Sequence, residues 1–408
     1  MIVVIQEIIF SNQCSRNQKY GVDMEMQEMD NSLSKQASKQ ASKQASKQAS
    51  KQASKQASKQ ASKRLLWLDA LKGIAIVLVI IGHVSGSFQK SGMFPDSYII
   101  NNLELFVGTF HMKIFFMVSG YLFCNAYLGD GKINKEKVFR QVLNLLLLYI
   151  FYDLLRYVFK MSLSSIVNDK TDVSYVYLFW YKSIDEYWYL YGLVITYILV
   201  ICLLCVFRRI FISDAQVYNA LFVISLIISI FFTITNPQWE WAGVRVMKLL
   251  VFFSMGMLIC KRGMIHTHIV LRLFEGIIGL IVVFISSVMR YTSIPRIIVF
   301  LAGGMVADFV FWVYKQLEKP FDEGGKAILV NVLCCFGRHS LEIYLLHVYF
   351  TSGFRIIVSR LFNNSVIAFG LAVIVGIMCP LGISFVLKKL RLWSVFFEPV
   401  SILKKMSA

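Results

Sequence analysis

Asp69, Lys72 and His83 bring a carboxylate, an ammonium and an imidazole into one apolar stretch, Leu68-Asp69-Ala70-Leu71-Lys72-Gly73 running on to Gly82-His83. A helix turns about 100° per residue, so the step from Lys72 to His83 returns to within about 20° of the same face, about 16 Å further along the axis. Asp69 lies one turn before Lys72 on the same stripe. Ionisable groups inside a membrane-spanning segment are costly, and they usually face a protein interior or a wet cavity where they serve a function. Imidazole is the usual general base near neutral pH, which makes His83 the leading candidate for proton transfer. A single histidine on such a helix would read as a packing residue; the company of Lys72 and Asp69 favours chemistry. Lys72 and Asp69 fit two readings equally, an i, i+3 pair at the membrane surface or a vestibule cation that meets an anionic ligand.

These residues need a scaffold, and composition defines it. The chain has 408 residues, 57% hydrophobic and only 16% charged, with a mean hydropathy of +0.62. A soluble domain carries about 25% charged residues. The apolar residues come in blocks of about 20, the length that crosses a bilayer as a helix. The reading is an all-α polytopic membrane protein.

A net charge of +18 would suggest nucleic acid in a soluble protein. Here Lys35, Lys39, Lys43, Lys47, Lys51, Lys55, Lys59 and Lys63 sit in a Ser-Lys-Gln-Ala repeat, and without them the charge is +10. Most of the remainder flanks apolar blocks, so no nucleic-acid partner is expected. The repeat has no side chain larger than Ala to bury, so residues 1–64 read as a solvated, disordered cytoplasmic tail with at most weak attraction to anionic lipid. Cys202 and Cys205 form a C-x-x-C with no second pair or nearby histidine, so neither a metal site nor a disulfide framework is expected.

From Arg64 the chain alternates apolar blocks with polar connectors, giving about ten transmembrane helices near 71–88, 105–126, 139–160, 187–207, 216–235, 246–261, 269–289, 295–315, 328–352 and 366–387. Every strongly basic connector, such as Lys135-Lys137-Arg140, Arg208-Arg209 or Lys388-Lys389-Arg391, then falls on one side with the tail. The positive-inside rule puts that side, and both termini, in the cytoplasm. The transmembrane domain spans 65–395, with 396–408 as a cytoplasmic C-terminal tail. Asp69 and Lys72 then lie at a cytoplasmic mouth and His83 toward the outer surface. The second span, running back, brings His111 to the level of His83.

Other residues have plainer alternatives. Ser119 and Gly120 read as small packing residues. Trp188-Tyr189 suits an interfacial aromatic belt, or a stacking platform for a sugar ring. Glu342 is buried by position and needs a partner, which Arg338 one turn earlier can supply. Tyr344 and His347 line a cavity or pack, and Arg245 is either a cavity residue or an anchor.

Three ordered motifs resemble the membrane acyltransferase 3 family. They are Leu68-Asp69-Ala70-Leu71-Lys72-Gly73 through Gly82-His83; Phe110-His111-Met112 with Phe115-Phe116 and Ser119-Gly120-Tyr121; and Phe336-Gly337-Arg338 with Ser340-Leu341, Ile343-Tyr344-Leu345 and His347. Lysine ahead of His83, in place of the commoner arginine, is similar to the branch of sugar and enterobacterial-antigen O-acetyltransferases and the fucose acetylase. Lys113 and His339 depart from the proline and asparagine usual there. The resemblance implies ten helices in the cytoplasmic (inner) membrane and transfer from an acyl-CoA such as acetyl-CoA to a hydroxyl of a cell-envelope or exported carbohydrate. It implies no tightly bound cofactor. His83 would be the catalytic histidine, tuned by His111; Lys72, with Asp69, would hold a CoA phosphate. Ser119, Tyr344 and His347 are candidates for the oxyanion, and Trp188 and Arg245 for contact with the substrate. The rival is a transporter or flippase of a glycan or polar solute. Transporters are often built from internal repeats, and no second copy of the Lys72–His83 pattern occurs.

Overall fold

The computed structural model describes residues 65–93, 97–128, 133–162, 187–238, 241–264, 268–290, 294–317, 328–361 and 364–406. The repeat tail and the connector from Asp169 to Glu186 lie outside them. Among the described residues every element is helical, apart from one isolated bridge between Leu128 and Ile133. Nine helical stretches among the described residues, Tyr98–Tyr127 counted as one, are long and apolar enough to span a membrane, and a tenth span is made if one sharply bent pair is counted together.

The helices follow the apolar blocks with two differences. α1 (Leu66–Lys90) is unbroken. The second span begins earlier than its hydropathy suggests, as α2 (Tyr98–Gly108) and α3 (His111–Tyr127) joined at Thr109-Phe110. α4 (Lys135–Ser162), α5 (Trp188–Ile210), α6 (Asp214–Thr235), α7 (Gly243–Arg262), α8 (Ile269–Val288) and α9 (Arg296–Gln316) come next. The expected ninth span is two helices, α10 (Ile328–Arg338) and α11 (Ser340–Leu361), bent by 81° across His339. α12 (Ser365–Lys389), α13 (Trp393–Phe397) and α14 (Pro399–Met406) close the chain. Caps are local and legible: Ser213 and Gln216 form a capping box on α6, and the Asn364 side chain accepts from the Val366 and Ile367 amides to start α12.

Two glycine crossings set the core. A Cβ on Gly120 of α3 would overlap the Phe253 carbonyl of α7, and one on Gly256 would overlap the Met117 carbonyl. Likewise a Cβ on Gly73 of α1 would overlap the Leu333 carbonyl of α10, and one on Gly337 the Asp69 carbonyl. Lipid offers no hydrophobic drive for one helix to meet another, so this close backbone packing holds the bundle. The second crossing explains the bend. α10 lies across the first turns of α1, and the chain must turn at His339 to send α11 along α1.

α1 is the most enclosed of the spans, while α8 and α12 are among the least. The charged stripe therefore sits on the helix best shielded from lipid. Elsewhere buried charge is matched. Arg272 of α8 pairs with Asp308 of α9, and Lys113 donates to the Phe300 carbonyl at 2.7 Å with its ammonium over the Phe300 and Phe252 rings. Lys113 thus fastens α3 to α9 and points away from the histidines.

Candidate active site

At one end of α1 the Lys72 ammonium lies 2.8 Å from Asp69 Oδ1, with the Asp69 side chain almost fully buried and Lys72 partly open. The expected i, i+3 pair is real, and it leaves the lysine facing a cavity. Beside it Lys315 of α9 sits over the rings of Trp67 and Tyr121, at 4.7 and 5.7 Å. On the neighbouring element the Glu342 carboxylate accepts from His339, Ser384 and Trp393 at 3.0, 3.3 and 3.1 Å, with Lys388 at 3.6 Å. This corrects the expected Arg338 pairing: the Arg338 Nε donates instead to the Cys334 carbonyl, within its own helix. The bend at His339 separates the two residues into different helices, so the i, i+4 geometry of a continuous helix does not apply. Glu342 instead ties α11 to α12 and α13.

At the other end three helices each contribute an imidazole. Ser85 of α1 holds α2 by donating to the Ile100 carbonyl and accepting from the Glu104 amide, and α2 leads directly into His111. The His111 Nδ1 lies 2.6 Å from the Val107 carbonyl, and the ring is within electrostatic reach of His83. His347 comes from α11, its ring centroid 5.2 Å from that of His83. The proximity of His83 and His111 therefore holds. The third histidine is legible as a residue and its pairing with His83 is not: the span order gives α11 the direction of α1, but nothing in the sequence says that the two helices are neighbours.

A cavity of about 150 Å³ opens beside Lys72 and extends toward the histidines. Lys72, Ser340 and Leu341 line it near the α1 start, and Met112, Val79 and Tyr344 carry it toward the histidines. It stops within one turn of all three: Met112 follows His111, Val79 precedes His83 by four residues and Tyr344 precedes His347 by three. Its wall is mostly aliphatic and aromatic, with polar atoms from Lys72, Ser119, Ser340, Tyr189 and Tyr344. Ser119 Oγ and Tyr189 Oη share a hydrogen bond of 2.8 Å across it. Tyr189 was taken for a belt residue beside Trp188; it is a cavity residue, and only the packing of α3 against α5 reveals this. Trp188 and Arg245 do not line the cavity. They stack on each other, guanidinium to ring, at 5.5 Å, with Arg245 exposed.

The described residues thus form a helical membrane bundle with a buried ion pair at one end of a cavity and an imidazole cluster one turn beyond the other. The chain matches the acyltransferase domain over residues 65–388 and belongs to that family, the membrane acyltransferase 3 family. It is also similar to nodulation protein NolL of Mesorhizobium japonicum, 30% identical over 139 residues that make up 33% of this chain; the match covers 35% of that relative's length. No solved structure matches.

Proposed function

We propose that the protein is an O-acyltransferase of the cytoplasmic membrane that moves an acyl group, acetyl in the simplest case, from cytoplasmic acyl-CoA to a hydroxyl of a cell-envelope or exported carbohydrate. The observation that carries this reading is the cavity that starts at Lys72 and stops one turn short of His83, His111 and His347. With the basic connectors and both termini in the cytoplasm, Lys72 is at the mouth that meets CoA. Its ammonium, held by Asp69, binds a CoA phosphate through a charge-assisted hydrogen bond. The neutral pantetheine arm lies along the apolar wall and presents the thioester near His83.

His83 accepts the proton of the acceptor hydroxyl as its oxygen attacks the thioester carbonyl. The tetrahedral intermediate collapses, the C–S bond breaks, and the CoA thiolate takes the proton back from His83. His111 shapes the basicity of His83 from the adjoining helix. Tyr344, on the cavity wall one turn before His347, is the candidate donor to the oxyanion, whereas Ser119 lies eight residues, about 12 Å, along α3 from His111 and lines the path of the arm. Trp188, with Arg245 over its face, offers an aromatic surface outside the cavity for a sugar ring.

The decisive experiment supplies isotopically labelled acetyl-CoA to membranes containing the protein and follows label into carbohydrate. Base-labile label in envelope glycan supports the reading, and a wild-type protein that transfers none refutes it. Within that assay Lys72→Ala is expected to raise the KM for acyl-CoA by about 10- to 100-fold, the value of one charge-assisted hydrogen bond of about 1.5–3 kcal/mol. Because Lys72 is far from the bond being made, kcat should change little. An unchanged donor dependence would remove its phosphate role.

A further inference from the structure

We infer that His347 is a positioning residue for His83: the Nε2 of His347 accepts the N–H of the His83 ring, and this fixes which His83 nitrogen faces the acceptor hydroxyl. The inference rests on the acyl-transfer reading above and adds to it a residue that acts through the base. It starts from hydrogen-bond chemistry. His347 Nδ1 lies 3.1 Å from the Ile343 carbonyl and 2.8 Å from that of Tyr344. A carbonyl oxygen only accepts, so Nδ1 carries the hydrogen, and in a neutral ring Nε2 is then a lone-pair acceptor.

That acceptor is buried and has no hydrogen-bond partner, in a side chain with no exposed surface. Buried polar atoms in native proteins are nearly always satisfied, and those that are not tend to mark catalytic sites. The nearest ring is that of His83, 5.2 Å between centroids with the planes at 42°. Two imidazoles joined edge to edge by one N–H···N hydrogen bond have centroids roughly 5 Å apart. A small rotation of the partly exposed His83 ring completes the bond, and catalytic hydrogen bonds commonly tighten only once substrate is bound.

The backbone around His347 is held for this purpose. The Tyr187 hydroxyl of the segment preceding α5 donates to the Leu345 carbonyl at 2.8 Å, and Arg355 donates to Ser87 Oγ of α1 at 3.0 Å. The first ties α11 to the start of α5 and the second ties it to α1, one on either side of His347. His111 is placed differently. Its ring is half-buried, its Nδ1 is on the Val107 carbonyl, and its neighbour Met112 lines the cavity. The resulting relay runs from backbone carbonyl to His347 N–H, from His347 Nε2 to His83 N–H, and from the second His83 nitrogen to the acceptor hydroxyl. His347 takes no proton in the reaction; it orients the base and stabilises the imidazolium formed on His83, the part a buried orienting group plays in other base-activated sites.

The test compares two substitutions in full-length protein in membranes, with labelled acetyl-CoA as donor. His347→Phe fills the space and offers no acceptor; His347→Gln packs less well and carries an acceptor oxygen to the position of Nε2. The expected result is a loss in kcat of about 100-fold for Phe with an unchanged KM for acetyl-CoA, and a loss of about 10-fold or less for Gln. A packing residue would give the opposite order, with Phe the better tolerated. Wild-type kcat in His347→Phe, or Gln no better than Phe, would overturn the inference while the wild-type transfer stands. Absence of transfer by the wild type would overturn the parent reading and this one with it. If His347→Phe does not fold, His347→Leu against His347→Gln makes the same comparison.

Discussion

Replacing His83 with alanine is expected to lower kcat for acyl transfer by about 10²- to 10⁴-fold, the range that a positioned general base supplies. His83 is half-buried one turn beyond the cavity's Val79, with an imidazole of α11 beside it and another from α3 within electrostatic reach. On the proposed reading the donor's phosphates bind at Lys72, about 16 Å away along the helix axis, so the KM for acyl-CoA should stay within about twofold of wild type. The substitution separates chemistry from binding, and it complements Lys72→Ala, which should do the reverse. Initial-rate measurements on membranes, over a range of acyl-CoA concentrations, check both. Retention of wild-type kcat in His83→Ala would move the base elsewhere.

The second large effect is structural. Gly337→Ala is expected to destabilise the protein by about 1–3 kcal/mol, because the new methyl would overlap the Asp69 carbonyl where α10 crosses α1. Neither backbone can yield cheaply, since Gly73 faces the Leu333 carbonyl at the same crossing. Gly370→Ala in α12 is the control. No atom stands within 4 Å of a Cβ placed there, and a mid-helix glycine-to-alanine exchange at an open site favours the helix by about 0.5–1 kcal/mol. The two substitutions are chemically identical and should move the thermal midpoint of the detergent-solubilised protein in opposite directions. Gly337→Ala should also weaken acyl-CoA binding, because it displaces the turn that carries Asp69 and Lys72. Equal midpoints for the two variants would mean that the crossing is looser than its geometry.

Much of this molecule can be read from its residues. The apolar blocks give the spans, because a bilayer leaves a helix of about 20 residues as the simplest way to satisfy the backbone. The i, i+3 relation of Asp69 and Lys72 is a local fact of one helix, so it survives folding. What depends on two helices at once is harder. Tyr189 looks like a belt residue until α5 is laid against α3, and His347 looks like a packing residue until α11 is laid beside α1. The bend at His339 is the clearest case. Its cause is a backbone contact between Gly337 and Asp69, residues far apart in the sequence, and the hydropathy of 328–352 is indifferent to it. The same bend cancels the Arg338–Glu342 pairing that a straight helix would make.

The apolar wall of the cavity carries a further consequence for the donor. A phosphate cannot follow a neutral chain into such a lining without losing its hydration, whereas an amide-bearing arm can enter with its few polar atoms matched by Ser119, Tyr189 and Tyr344. If Lys72 holds the phosphate as proposed, the wall would act as a ruler: the length of the arm, and not the fit of the acyl group, would set how deep the carbonyl reaches. A donor with a shorter arm would dock as tightly and react at the wrong depth.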